Sequence, residues 1–191
     1  GTSGLRKSSK QFEQKHYLES FVEAIFRTIP GVNGGTLVVG GDGRYGNRRA
    51  IDVILRMGAA HGLSKVITSV DGILSTPAAS HLIRRNQAIG GIILSASHNS
   101  GGPDGDFGVK VNGSNGGPAP ESLTNSIFAC TQKLDAYKTI EHEPISLDSI
   151  SSYSIGNMAV DVVDGVEDYL TLMQKLFDFD QIRSLIQSDF S

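Results

Sequence analysis

The chain has 191 residues, a formal net charge of −3, 39% hydrophobic and 19% charged residues, and one cysteine. That length fits one domain, or one domain with a tail, and would cramp two. Apolar runs of only a few residues exclude a membrane-spanning helix, and the lone Cys130 excludes an intramolecular disulfide and a cysteine metal cluster, which fits a reducing cytoplasm.

In chain order, the first predicted element is an amphipathic helix: Tyr17, Leu18, Phe21, Val22, Ile25, Phe26 and Ile29 recur at helical spacing, and Pro30-Gly31 closes it. Thr36-Leu37-Val38-Val39 reads as a short strand ending in glycines, followed by a helix with Ile51, Ile54, Leu55 and Ala59 on one face. The unit repeats with a strand over Lys65–Ser69, then Thr76 as N-cap and Pro77 at the first position of a helix reaching about Arg85. Gly91–Ser95 is a third strand, Phe107–Val111 alternates like a fourth, and Glu121–Leu134 reads as a helix with Leu123, Ile127, Cys130 and Leu134 inward. Residues 141–157, polar and serine-rich, read as an excursion or linker, and Met158–Val163 as one more strand, at an edge. A helix from Val166 to about Phe177 follows, and Phe179, Ile182, Leu185 and Ile186 keep helical spacing beyond it. Alternating strands and helices predict an α/β layered fold, a mostly parallel or mixed sheet flanked by helices, with ligands at the carboxyl ends of the strands.

Charge is unevenly spread: residues 1–100 carry 12 Lys and Arg against 6 Asp and Glu, and residues 101–191 carry 5 against 14. The basic half favours a small phosphorylated ligand and lacks the aromatic-interleaved stripe of a nucleic-acid binder, although an uneven solvated surface gives the same tally. Within that half, Gly41-Asp42-Gly43-Arg44-Tyr45-Gly46 satisfies G-x-G-x-x-G after a strand, with Asp71 about where a ribose-binding acid would fall. A long helix preceding that strand speaks against a dinucleotide site. The other reading is a glycine turn in which Asp42 and Arg44 pair and orient a neighbouring loop.

The run Ile92 to Gly102 carries an apolar strand into hydroxyls, one imidazole, an amide and paired glycines. On an extended chain Ser97 and His98 point to opposite sides, and no G-x-S-x-G elbow is present, so a hydrolase dyad is disfavoured. A hydroxyl at a strand end beside Gly101, Gly102 and Gly105 suits a phosphoryl group on Ser97, with His98 and Lys110 as candidate proton carriers or charge stabilisers. A hydroxyl-rich surface loop remains the alternative. In Gly1-Thr2-Ser3-Gly4-Leu5-Arg6-Lys7, Arg6 can clamp a phosphate and Ser3 can add a hydroxyl.

These loops, with Gly72-Ile73-Leu74-Ser75-Thr76-Pro77-Ala78 and Gly116-Gly117-Pro118-Ala119-Pro120-Glu121, resemble the α-D-phosphohexomutases along essentially the whole chain. The most specific part is Ser95 to Gly102 with Asp106-Phe107-Gly108-Val109-Lys110, similar to the family's phosphoserine loop. The resemblance implies that residues 1–191 are the first of four domains, with 178–191 leading out toward the second. It implies interconversion of glucose 1-phosphate and glucose 6-phosphate through a phosphoserine at Ser97 and a glucose 1,6-bisphosphate intermediate. It places His98 and Lys110 near the transferred group, makes Thr2, Ser3, Arg6 and Asn99 phosphate or substrate contacts, and leaves Asp42 and Arg44 as a supporting loop. It further implies Mg²⁺, bound in this chain only through the Ser97 phosphate, and a cytoplasmic monomer with neither nucleic acid nor membrane as partner. The remaining metal ligands and the sugar-selecting residues belong to the family's later domains, so the chain alone is expected to be inactive, and Asp104 and Asp106 are loop residues rather than ligands. Position 100 is Ser where the family pattern has Pro, which removes about 0.4–1 kcal/mol of loop pre-organisation. The alternatives are a mutase-like binding or scaffold protein without turnover, and a dinucleotide-binding module.

Overall fold

Strands covered on both faces carry continuous Val, Ile and Leu runs, and the centre of this sheet is built from such runs. The computed structural model describes residues 4–188. Its elements are β1 (Gly4–Ser8), a one-turn α1 (Ser9–Phe12), α2 (Tyr17–Thr28), β2 (Thr36–Gly41), α3 (Asn47–Ala60), β3 (Lys65–Ser69), α4 (Thr76–Arg85), β4 (Gly90–Leu94), β5 (Asp106–Gly113), α5 (Glu121–Thr131), β6 (Ser151–Ile155), β7 (Met158–Val163), α6 (Glu167–Leu176) and α7 (Phe179–Gln187). The seven strands form one sheet in the order β1-β5-β4-β2-β3-β7-β6. β4, β2, β3 and β7 run parallel, while β5 and β1 extend one side antiparallel, strand by strand, and β6 closes the other. Leu37, Val39, Val66, Ile92 and Leu94 face a core shared with α2, α3 and α5, and the alternating Val38, Ile67 and Ile93 face α4, with Tyr169 of α6 packed beside them. The result is the expected α/β fold in three layers.

Five local expectations differ from what the chain does. Ser75, rather than Thr76, caps α4: its hydroxyl accepts from the Ala78 N–H at 3.3 Å, and Pro77 takes the second helical position. Two consecutive hydroxyl residues offered either cap, and the one spaced to reach the third helical N–H fills it. β7 is internal, flanked by β3 and β6, so the predicted edge lies one strand further out. That outer strand, β6, falls inside the stretch read as a polar excursion, because Ser151-Ser152-Tyr153-Ser154-Ile155 covers an edge and has little apolar surface to declare itself. From Gly4 onward the N-terminal segment is a strand rather than a loop, and a Cβ on Gly4 would lie 2.0 Å from the Val109 carbonyl oxygen. Only glycine permits that approach. α5 ends at Thr131, short of Leu134, although Leu134 and Cys130 still pack half-buried against the core around Ile127.

Among the described residues, one charged side chain lies wholly inside. Glu23 of α2, 0% exposed, accepts from Arg27 Nε at 2.6 Å, from His61 Nε2 at 2.7 Å and from the Lys138 N–H at 3.0 Å. The carboxylate therefore ties the end of α3 and the irregular segment after α5 to α2. Burial pushes its pKa up, but the donors from Lys138, His61 and Arg27 outweigh that and hold it below the ordinary glutamate value. With a lowered folded pKa, its stabilisation is complete above the unfolded value and is lost as pH falls through the folded one. Glu23→Ala is expected to lower the unfolding free energy in urea by about 3–5 kcal/mol near neutral pH. The deficit against wild type should narrow below about pH 4, which urea titrations over that range measure.

Candidate functional site

Parallel strands release their following loops on one side of a sheet, and here two such loops meet the start of an antiparallel strand. β2 hands over to Asp42–Gly46 and β4 to Ser95–Gly105, while β5 starts its return from the same side at Asp106. In register, Lys110 of β5 lies opposite Ile93 of β4, and Arg6 of β1 lies opposite Gly108. Gly108 accepts the Ser95 N–H at 2.9 Å, and a Cβ there would stand 2.3 Å from the Ser95 carbonyl oxygen. The glycine lets the loop backbone lie directly on β5.

Ser97 adopts φ +58°, a left-handed conformation that costs a non-glycine residue about 1–3 kcal/mol. Its exposed hydroxyl receives Lys110 Nζ at 3.0 Å and Arg6 Nη2 at 3.2 Å. Partial burial, and next the positive charge of Arg6, push the Lys110 ammonium below the ordinary lysine value; Asp42 opposes the shift and Arg44 adds to it.

Arg44 lies beneath the same loop with its side chain only 7% exposed. Its Nε and Nη2 hold the Asp42 carboxylate at 2.9–3.0 Å, while Nη2 also reaches the Ser97 carbonyl at 3.1 Å and Nη1 the Asp106 carbonyl at 2.7 Å. Burial raises the Asp42 pKa, but hydrogen bonds from Arg44 and Ser95 overcome it and keep the carboxylate ionised to lower pH than usual.

The structure thus gathers Ser97, Lys110, Arg6, Asp42 and Arg44. Asn99 sits in the same loop, but its amide donates to the Asp106 carboxylate at 2.7 Å. His98 is exposed and makes no hydrogen bond among the described residues. Asp104 pairs on the surface with Lys10 at 2.6 Å, and Asp71 pairs with Arg48, away from any ribose-binding role. Thr2 and Ser3 lie outside the described residues. Sequence reasoning passed over Ser95, whose hydroxyl accepts the Ser97 N–H at 2.9 Å. The available signal was a second hydroxyl two residues before Ser97, the spacing of a local side-chain turn.

No group of three or more His, Cys, Asp or Glu able to hold a metal ion occurs among the described residues. Two cationic donors face Ser97 Oγ, and the loop carboxylates Asp42 and Asp106 are already engaged by Arg44 and Asn99. These residues do not by themselves fit Mg²⁺.

The α/β/α domain thus holds a left-handed serine between lysine and arginine at the carboxyl edge of its sheet. Residues 1–138 match the family profile described as "Phosphoglucomutase/phosphomannomutase, alpha/beta/alpha domain I", and the chain belongs to that family. It is 53% identical over 190 residues to the phosphoglucomutase of Rhizobium radiobacter, covering 100% of this chain and 35% of that protein. It is 50% identical over 190 residues to the phosphoglucomutase of Schizosaccharomyces pombe, covering 99% of this chain and 34% of that one. The Paramecium exocytosis-sensitive phosphoprotein pp63/parafusin, a phosphoglucomutase in its open form, superposes with a TM-score of 0.94 at 46% identity, covering 100% of this chain and 37% of that one. The chain spans about a third of the length of these relatives. No helix among the described residues is long and apolar enough to cross a membrane.

The charge arrangement predicts that Lys110 Nζ titrates below an ordinary lysine in nitrogen-15 NMR. Arg6→Gln, by removing a positive neighbour, should move that midpoint upward, and an unmoved midpoint would contradict the assigned cause.

Proposed function

We propose that this chain is the phosphoserine-bearing domain of a longer cytoplasmic phosphoglucomutase, which interconverts glucose 1-phosphate and glucose 6-phosphate through a phosphate on Ser97 and a glucose 1,6-bisphosphate intermediate. The observation that carries the reading is the Ser97 hydroxyl between Lys110 at 3.0 Å and Arg6 at 3.2 Å, in a loop turned out from the sheet by its left-handed backbone. A phosphate there adds about −1.5 to −2 charges, which the two cations meet.

Transfer begins when a hydroxyl of the sugar phosphate attacks the phosphorus on Ser97. The new sugar O–P bond forms as the P–Oγ bond breaks, and negative charge develops on Oγ. Lys110 and Arg6 stabilise that charge, and Lys110 returns a proton to Oγ; His98, next in the chain and exposed, takes the proton from the incoming hydroxyl. After the bisphosphate turns around, the same groups act in reverse: Ser97 attacks the other phosphate, and the sugar leaves as the isomer. Placement and charge neutralisation supply most of the rate in such chemistry. Thr2, Ser3 and Asn99 belong to this reading as further phosphate or substrate contacts. A Mg²⁺ ion would find in this chain only the phosphate oxygens on Ser97, and no step above depends on it.

Isotope-labelled glucose 1,6-bisphosphate, added to the full-length protein and followed by peptide mapping, should place the label on Ser97. Ser97→Ala should abolish the label and lower conversion of glucose 1-phosphate by more than about 10³-fold, while the 191-residue chain alone shows no conversion. Label on another residue, or turnover by Ser97→Ala, overturns the reading.

A further inference from the structure

A serine held at positive φ needs both of its peptide groups restrained, since the extended alternative lies lower in energy. The Ser97 N–H donates to Ser95 Oγ at 2.9 Å, and the Ser97 carbonyl accepts from Arg44 Nη2 at 3.1 Å. Arg44 is itself held by the Asp42 carboxylate, which takes its Nε and Nη2 at 2.9–3.0 Å. Ser97 is thus restrained on its N–H side by Ser95 and on its carbonyl side by the Asp42–Arg44 pair. Both sides are also anchored to the sheet, because the Asp42 N–H donates to the Leu94 carbonyl at 3.1 Å and the Ser95 N–H to the Gly108 carbonyl at 2.9 Å.

We infer that Ser95 on one side and the Asp42–Arg44 pair on the other form a positioning clamp that fixes the Ser97 backbone and thereby aims its hydroxyl between Lys110 and Arg6, with Ser95 as a positioning residue. Ser95 touches no reacting atom. Its hydroxyl acts as the acceptor for the Ser97 N–H, which an alkyl group cannot be. Arg44 has a matching duty that a lysine cannot perform, since a single ammonium lacks the planar fork that holds a carboxylate and two separate carbonyls together.

The kinetic consequence rests on the phosphoglucomutase reading, whereas the backbone consequence does not. In the full-length protein, Ser95→Thr keeps the hydroxyl and Ser95→Val keeps the shape of threonine without it. Ser95→Val should lower kcat for glucose 1-phosphate about 10²-fold with KM little changed, and Ser95→Thr should restore most of the loss. Hydrogen exchange of the peptide spanning Ser97 should quicken at least about tenfold in Ser95→Val and stay near wild type in Ser95→Thr. Ser95→Ala and Arg44→Lys, checked for folding by thermal melts, should match Ser95→Val in both measurements and serve if that variant does not fold. Equal exchange in the threonine and valine variants overturns the clamp, as does faster exchange with unchanged kcat. If the wild-type protein turns over no sugar phosphate, the functional reading falls, and the exchange comparison still decides whether the clamp holds Ser97.

Discussion

The antiparallel return of β5 along β4 is the constraint on which the site depends. Phe107, Val109 and Val111 of β5 enter the core under α2 and α5, so the period of two turns Gly108 and Lys110 to the opposite face. On that face Arg6 of β1 stands directly across from Gly108. The backbone at Ser95 and Ala96 passes over Gly108, where a Cβ would meet both residues. Ser97 then emerges with one cation supplied by β5 and the other by β1. A slip of one residue in the β4–β5 pairing would bury Lys110 and turn Val109 outward, so the apolar pattern that fixes the core also fixes the site.

The electrostatics of the loop are deliberately unbalanced. Three cations surround Ser97, and among the described residues only Arg44 of the three has a carboxylate partner in direct contact, Asp42. Lys110 and Arg6 share a neutral hydroxyl instead, and their mutual repulsion is one reason the lysine pKa falls. A dianionic group on Ser97 removes that repulsion and gives both donors a charged acceptor. The left-handed backbone adds to the same account, since it stores strain at the residue that would carry the group. Both features are unfavourable to the bare fold, and a phosphate on Ser97, as proposed, would offset the first of them.

How much of this was legible in the sequence depended on whether a residue's partner was local. The parallel strands announced themselves as apolar runs, and the helices as 3.6-residue stripes, because burial on many residues at once leaves a periodic trace. β1 and β6 left almost none, since each covers an edge with few apolar side chains. In the site, Asp42 and Arg44 were readable as a pair two residues apart. Ser95 was not, because its bond to the Ser97 N–H depends on the backbone course of the loop, which the residue types do not reveal. Opposite sides for Ser97 and His98 follow from an extended chain, and Ser97 is left-handed instead, a state that nothing in the residue type reveals. Arg6 was expected to clamp a phosphate with two donors, and the structure shows one of them already directed at the hydroxyl that would carry it.

Ser100 tests whether the loop owes its shape to local stiffness or to its bonds. A proline at that position would restrict the unfolded chain, an effect of about 0.4–1 kcal/mol. Against it stand the Asp106 N–H donating to the Ser100 carbonyl at 2.8 Å, the Asn99 N–H to Ala96 at 3.2 Å, the Gly105 N–H to Gly102 at 3.1 Å, and the Arg44 bonds to Ser97 and Asp106. Each such bond contributes about 0.5–1.5 kcal/mol, and those from a charged guanidinium more. The network exceeds the entropy term several-fold, so the loop keeps its form with serine at position 100. The substitution that motivates a scaffold without turnover is therefore too weak, on energetic grounds, to dismantle the geometry at Ser97.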